Sequence, residues 1–281
     1  MVLKPGAGAI MLADDRDEGD SDAGGFRPLA ELLLALRFQT RLPIPFLRTL
    51  DPPPLARAMR FFPLAGAVVG ALTGLMLVGA ALLRLPPLLA AIVAVAGGML
   101  LTGSRNEDGL ADTADGFGGG ETREQRLDIM TDSRLGTYGT AALVLSLMGR
   151  AALYQQLLML RPLDTVLLLA GVAAFSRALA VDLLWATRPA RTEMVMVYPD
   201  RPSRAVTLFA LFTGGAMVLA AGAVFIAPEA GMMALVAALA TTAGLRALSM
   251  RLIGGQTDDV VGAAQVLSEI AMLAALAASI G

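Results

Sequence analysis

The 281-residue chain contains no cysteine and no histidine. The first absence excludes disulfides, thiolate metal sites and cysteine nucleophiles. The second removes imidazole as base, acid or ligand, so proton transfer or metal binding must rest on carboxylates, Tyr, Lys, Arg, water or substrate. Charge is scarce as well: Asp, Glu, Lys and Arg make up 16% of the residues, against about a quarter in an average soluble domain. A net charge of −2 gives no basis for non-specific nucleic-acid binding, and no nucleic-acid partner is expected.

Apolar residues fill the gap, at 56% of the chain and a mean hydropathy of +0.67. Uncharged stretches at 61–83, 85–103 and 205–227 are each long enough to cross about 30 Å of hydrocarbon as a helix. Four more, at 138–160, 165–186, 231–250 and 260–280, each contain at least one ionisable residue. The pattern predicts an all-α, polytopic membrane helix bundle with about seven transmembrane helices. Residues 27–46, with Glu31, Arg37 and Arg41, read as an interfacial helix or a short re-entrant piece, turning at Pro43 and Pro45. Residues 1–25 read as a flexible acidic tail, without the unbroken apolar run of a signal peptide, and 26–281 as one integral membrane catalytic domain. Gly66, Gly70 and Gly74 recur every four residues, a spacing that lets another helix backbone approach closely in lipid.

Basic residues distribute unevenly between these stretches. Lys plus Arg counts in successive connections are eight, one, four, one, four, none and two. By the positive-inside rule the N-terminus and the loops near 104–137, 187–204 and 251–259 face the cytoplasm. Arg150, Arg177, Asp182 and Glu269 fall inside expected spans, where charge costs at least about 2.5 kcal/mol, so each should face the bundle interior or a wet cavity.

The segment from Asn106 to Gly139 holds eight of the 24 acidic residues. Asp108, Asp112 and Asp115 fall at i, i+4 and i+7, one helix face, where they repel unless a cation sits between them. Clustered carboxylates suit Mg²⁺ or Mn²⁺, and Mg²⁺ commonly completes its shell with waters and substrate phosphates. Gly116, Gly118, Gly119 and Gly120 follow, freeing the backbone to turn. Arg123, Arg126 and Arg134 then bracket Asp128 and Asp132, setting phosphate-binding cations beside further ligands or a base. A third polar group, Gly254 to Val260 with Asp258 and Asp259, reads either as part of the site or as a helix cap. The reading from residues alone is a membrane transferase that uses Mg²⁺ to bind a diphosphate-linked substrate, which an incoming hydroxyl attacks.

Thr102-Gly103 through Gly120, and Arg126-Leu127-Asp128-Ile129-Met130-Thr131-Asp132-Ser133-Arg134-Leu135-Gly136-Thr137-Tyr138-Gly139, resemble the signature of the adenosylcobinamide-GDP ribazoletransferase (cobalamin synthase) family. Thr40-Arg41-Leu42-Pro43, Phe62-Pro63-Leu64 with Gly66, Ser176-Arg177 and Gly254 through Ala263 extend the likeness. The resemblance implies a multi-pass enzyme of the cell inner membrane with its active site facing the cytoplasm. It would join adenosylcobinamide-GDP to α-ribazole, or to its 5′-phosphate, with Mg²⁺ and release of GMP. Carried onto this sequence, Asp108, Asp112 and Asp115 are metal ligands, and Asp132 and Asn106 take catalytic positions. Arg126, Arg134, Tyr138, Arg177, Gln256 and Asp259 are substrate-binding or support residues. The family usually shows His where Asn106 stands and Gly where Asp258 stands, and residues 191–194 match its corresponding loop loosely. A CDP-alcohol phosphotransferase lacks support because Asp112, not Arg, follows Asp108-Gly109-Leu110-Ala111. A prenyltransferase would need a second Asp-rich loop, and a transporter an inverted repeat. Oligomeric state is left open.

Overall fold

The computed structural model describes residues 27–44, 53–132, 134–191, 198 and 200–280. The acidic tail, Pro45, Ser133 and residues 192–194 lie outside them. The described residues form eleven α-helices: α1 (Pro28–Gln39), α2 (Leu55–Ala58), α3 (Phe62–Leu82), α4 (Pro87–Thr102), α5 (Arg105–Gly119), α6 (Arg123–Met130), α7 (Thr137–Leu157), α8 (Pro162–Ala186), α9 (Arg204–Phe225), α10 (Ala230–Leu252) and α11 (Asp258–Ala278). A single 3-10 turn, Met59–Phe61, joins α2 to α3. Among these residues there is no strand, only one parallel bridge between Pro189 and Gln256.

All seven expected spans are helical. Prolines in the first turn start α3, α4 and α8, where a missing N–H costs nothing. Ser203 and Thr257 cap α9 and α11 by accepting from Val206 N and Val260 N. Five helices are long and apolar enough to cross a membrane: α8, α9, α10, α11 and the continuous run 55–82 that ends in α3. The count reaches six if α4 and α5, which meet at a 92° bend, are one broken span. At 16 residues α4 reaches only about 24 Å, short of a full hydrocarbon crossing. The polar residues Thr140, Ser146, Arg150, Gln155 and Gln156 hold α7 below the other spans in apolarity. The chain is an all-α, multi-pass membrane bundle.

At its centre is α8, buried on nearly every side and packed against α3, α9 and α11. The glycine stripe of α3 makes the closest of these contacts. A Cβ at Gly66 would come within 2.5 Å of the Ala173 carbonyl oxygen, one at Gly74 within 2.8 Å of Val166 Cα, and one at Gly70 would collide with the Leu169 carbonyl. Charges inside the bundle are paired: Arg177 with Glu269, Arg150 with Glu107 at 2.8 Å, and Arg246 with Asp182 at 3.7 Å. Helix α1 lies against α3, with the Phe38 and Phe62 rings stacked 5.5 Å apart, and its fully buried Glu31 accepts hydrogen bonds from Arg60 at 2.6 and 2.8 Å.

Helix α5 packs on α6 and on α11, and the bridge between Pro189 and Gln256 ties the α8–α9 connection to the α10–α11 turn, so these segments meet at one end. Arg191 of the α8–α9 connection pairs with Asp128 of α6, and Arg123 of α6 donates to the carbonyls of Ile253, at 2.8 Å, and Ala190. These segments carry the acidic motif residues Asp108, Asp112, Asp115, Asp128, Asp132, Asp258 and Asp259 or lead directly into them.

Candidate active site

Two consecutive left-handed residues, Gly103 (φ 75°) and Ser104 (φ 60°), end α4 and turn the chain into α5. This turn throws the acidic helix across the end of the bundle instead of continuing α4. Helix α5 then rests on α11 at two close approaches. A Cβ at Gly109 would lie 2.8 Å from the Asp259 carbonyl oxygen, and one at Gly262 would lie 3.1 Å from Asn106 Cα. A side chain at Gly109 would force the backbones apart and one at Gly262 would crowd them, and the close approach brings Asp259 to Asp108 and Asp112.

These three carboxylates interact. Asp112 is pushed up from 3.8 to about 7, first by burial and then by the charges of Asp259, Asp108 and Asp115. Asp108 is exposed on the outer side of α5, while Asp112 is half-buried. Among the described residues no three acidic side chains converge tightly enough to hold an ion as they stand. The donor set nevertheless fits Mg²⁺: hard oxygen ligands, uncompensated negative charge, and a cation that needs only one or two carboxylates beside waters and phosphate oxygens. Asp108, Asp112 and Asp259 are the residues that could hold it.

Asp115 has other partners. Its carboxylate is buried and accepts from Gly136 N at 2.7 Å and Gly139 N at 2.8 Å, so it caps the start of α7 from a distance. A Cβ at Gly136 or Gly139 would collide with that carboxylate, which accounts for both glycines. Asn106 is also engaged: its side-chain amide donates to Gln265 Oε1 on α11 at 3.2 Å. The neighbouring Glu107 is buried and paired with Arg150 of α7. Thus three successive contacts from α5 fix it to α7 and α11.

The remaining predicted residues divide between structure and rim. Asp132 accepts from Arg134 N at 3.1 Å and from its guanidinium at 2.6 Å, and this pairing lowers Asp132 to about 2. A carboxylate of such low basicity is a poor proton acceptor near neutral pH. Arg126 donates to the Leu252 carbonyl at 3.5 Å while its Nε is buried without a partner, which places it between α6 and the α10–α11 turn. Tyr138 is exposed, its ring lying over Gly118, where a Cβ would come within 2.6 Å. Arg177 lies inside the bundle on Glu269 and Ser176, lining a polar cavity of about 30 Å³, room for one or two waters, with Asn106, Glu107, Arg150 and Tyr154. Gln256 is buried; its backbone bonds to Arg188 and Ala190, and its side-chain amide makes no hydrogen bond among the described residues. Two further residues belong to the site: Gln265, the partner of Asn106, and Arg105, an exposed cation over the Phe38 ring at 4.5 Å that makes no close ion pair among the described residues and acts at longer range on Asp258. No sequence signal marks Gln265, which stands 159 positions from Asn106. Arg105 was legible only as the basic residue opening the motif helix.

Fold and site together define a multi-pass membrane protein with a carboxylate-lined, arginine-edged surface at one end of the bundle, suited to a phosphorylated ligand. The family model for cobalamin-5-phosphate synthase matches residues 31–277, and the chain belongs to that family. An adenosylcobinamide-GDP ribazoletransferase of Azorhizobium caulinodans is 44% identical over 254 residues, covering 88% of this chain and 95% of that protein. Proteins of the same name from Xanthobacter autotrophicus (43% over 264 residues, 86% and 94% covered) and a Sinorhizobium species (41% over 228 residues, 80% and 87% covered) are similarly related. No solved structure matches the chain.

Proposed function

We propose that the protein joins adenosylcobinamide-GDP to α-ribazole or its 5′-phosphate and releases GMP. The observation that carries this reading is the meeting of Asp108 and Asp112 on α5 with Asp259 on α11, within a chain that matches the family along nearly its whole length. Mg²⁺ held by these three would neutralise the substrate diphosphate and favour departure of GMP. Arg105, exposed at the start of α5, and the Asp132-held Arg134 offer guanidinium groups to phosphate oxygens. A ribose hydroxyl attacks the phosphorus bonded to the cobinamide side, the bond to the GMP oxygen breaks, and the hydroxyl proton passes to the departing phosphate or to water. Asn106 has no useful basicity, so its task is to hold α5 against Gln265; Asp132, paired with Arg134, orients that cation instead of taking a proton. Asp115 supports the site by fixing α7, with its metal role passing to Asp259.

The site faces the cytoplasm and the bundle spans the inner membrane, a placement supported by the basic residues that collect at the motif-bearing end. Purified protein in bilayers, given both substrates, should release GMP and adenosylcobalamin with Mg²⁺ and neither with EDTA. Equal release with and without chelator, or none from folded protein, contradicts the assignment. A transporter would make no GMP under any condition.

A further inference from the structure

Beside the acidic surface a second cavity, about 150 Å³, opens between the end of α8, the α8–α9 connection and the α10–α11 turn. Its walls are apolar and partly flat: Leu184, Pro189, Pro202 and the ring of Tyr198. Its polar groups are few. Gln256, a buried residue, lines it with a side-chain amide that bonds to nothing described, and Asp200 adds an exposed carboxylate with no ion pair among the described residues. Arg201, the cation beside that carboxylate, is committed elsewhere, its guanidinium donating to the Trp185 carbonyl at 2.8 Å through Nε. The cavity adjoins the proposed metal surface: Gln256 precedes Asp258 and Asp259 by two and three positions, and the Tyr198 hydroxyl, pushed up to about 12 by burial, feels the charges of Arg105 and Asp258.

We infer that this cavity binds the guanine ring of the nucleotide half of the substrate, with Asp200 and Gln256 reading its polar edge. The inference rests on the function proposed above. Flat apolar walls suit any fused aromatic ring, so the polar groups decide which. Guanine presents adjacent N–H donors at N1 and N2 and an acceptor at O6; a carboxylate accepts the first pair and an amide N–H serves the third. Adenine places an acceptor at N1, against which a carboxylate is repulsive, and a dimethylbenzimidazole has no donor edge for Asp200 to accept from. The discrimination rests on the charge-assisted pair that only guanine can donate to Asp200, and on the repulsion between that carboxylate and the adenine N1 lone pair. With the ring seated here, Arg105 and the Asp108–Asp112–Asp259 surface lie beside the cavity, where the diphosphate must pass.

The test is calorimetric binding of GMP and AMP, in Mg²⁺, to the full chain in lipid nanodiscs, for wild type, Asp200→Ala and Gln256→Ala, with turnover of the complete substrates measured in parallel. Wild type should bind GMP at least about tenfold more tightly than AMP, the worth of one charge-assisted hydrogen bond. Asp200→Ala should remove that preference by weakening GMP while leaving AMP unchanged. Asp200 is exposed, so this variant should fold; Gln256→Ala should weaken GMP by a smaller factor. An unchanged GMP-to-AMP ratio in Asp200→Ala, or no preference in wild type, overturns the guanine assignment. If wild type turns over both substrates while the ratio stays fixed, the proposed function stands and only the pocket fails; if it binds GMP selectively but makes no product, the reverse holds.

Discussion

Three carboxylates of the motif differ in environment, and that difference sets what each can do. Asp112 is pushed up to about 7 by burial and by its acidic neighbours. A raised carboxylate pKa contributes stability below the unfolded value, near 3.8, and loses it as pH rises through about 7, so bound cation should offset a growing repulsion. Apparent Mg²⁺ affinity should therefore climb by up to about tenfold per pH unit toward pH 7 and level off above it. A titration flat from pH 5.5 to 8 would show that Asp112 does not compete with a proton for the ion. Asp115, with both oxygens on backbone N–H groups, answers to stability instead. Asp115→Ala should cost roughly 2–4 kcal/mol by leaving the Gly136 and Gly139 amides unpaired, read from detergent-denaturation midpoints. A loss below about 0.5 kcal/mol, the ordinary size for an unremarkable surface change, would contradict the capping role. The sequence shows Asp108, Asp112 and Asp115 as equivalent members of one helix face. Their separation arises from partners 21 and 24 positions downstream for Asp115 and from α11 for Asp112, long-range contacts that periodicity does not encode.

Hydropathy located all seven long helices of the bundle, because runs of about 20 apolar residues are a signal carried residue by residue. It missed the shortness of α4 and the 92° turn into α5, which depend on left-handed backbone at Gly103 and Ser104. The four-residue glycine spacing in α3 did announce a close helix partner, although nothing in the spacing named α8. Gly70→Val should destabilise the bundle by about 1–3 kcal/mol, since the added carbons collide with the Leu169 backbone. Gly149→Val on α7, where a Cβ meets nothing within 4 Å, is the matched control and should change little. Equal effects from the two would mean that α3 and α8 do not pack as described. The buried pairs Glu107–Arg150 and Arg177–Glu269 belong to this scale as well. The sequence showed Arg150, Arg177 and Glu269 as charges needing partners, and only the folded bundle shows which helices they join.

For the molecule as a whole, the alternation of basic residues between connections predicts that the motif-bearing loops share one side, and contacts among α5, α6, the α8–α9 connection and the α10–α11 turn gather them at one end. The absence of native cysteine makes the sidedness directly testable. In intact cells, Glu229→Cys, in the α9–α10 turn, should react with an impermeant maleimide added outside, whereas Glu121→Cys, before α6, should react only after the membrane is opened. The opposite pattern would invert the proposed orientation.

The proposed chemistry requires the α5–α11 carboxylates to carry the metal. Binding of Mn²⁺ to the reconstituted protein, followed by electron paramagnetic resonance, addresses this without requiring turnover. The expected result is one tightly bound ion in wild type, retained in Asp132→Asn and lost in both Asp112→Asn and Asp259→Asn. Retention in the Asp112 and Asp259 variants with loss in Asp132→Asn would place the metal on the α6–α7 connection and contradict the arrangement proposed for this site.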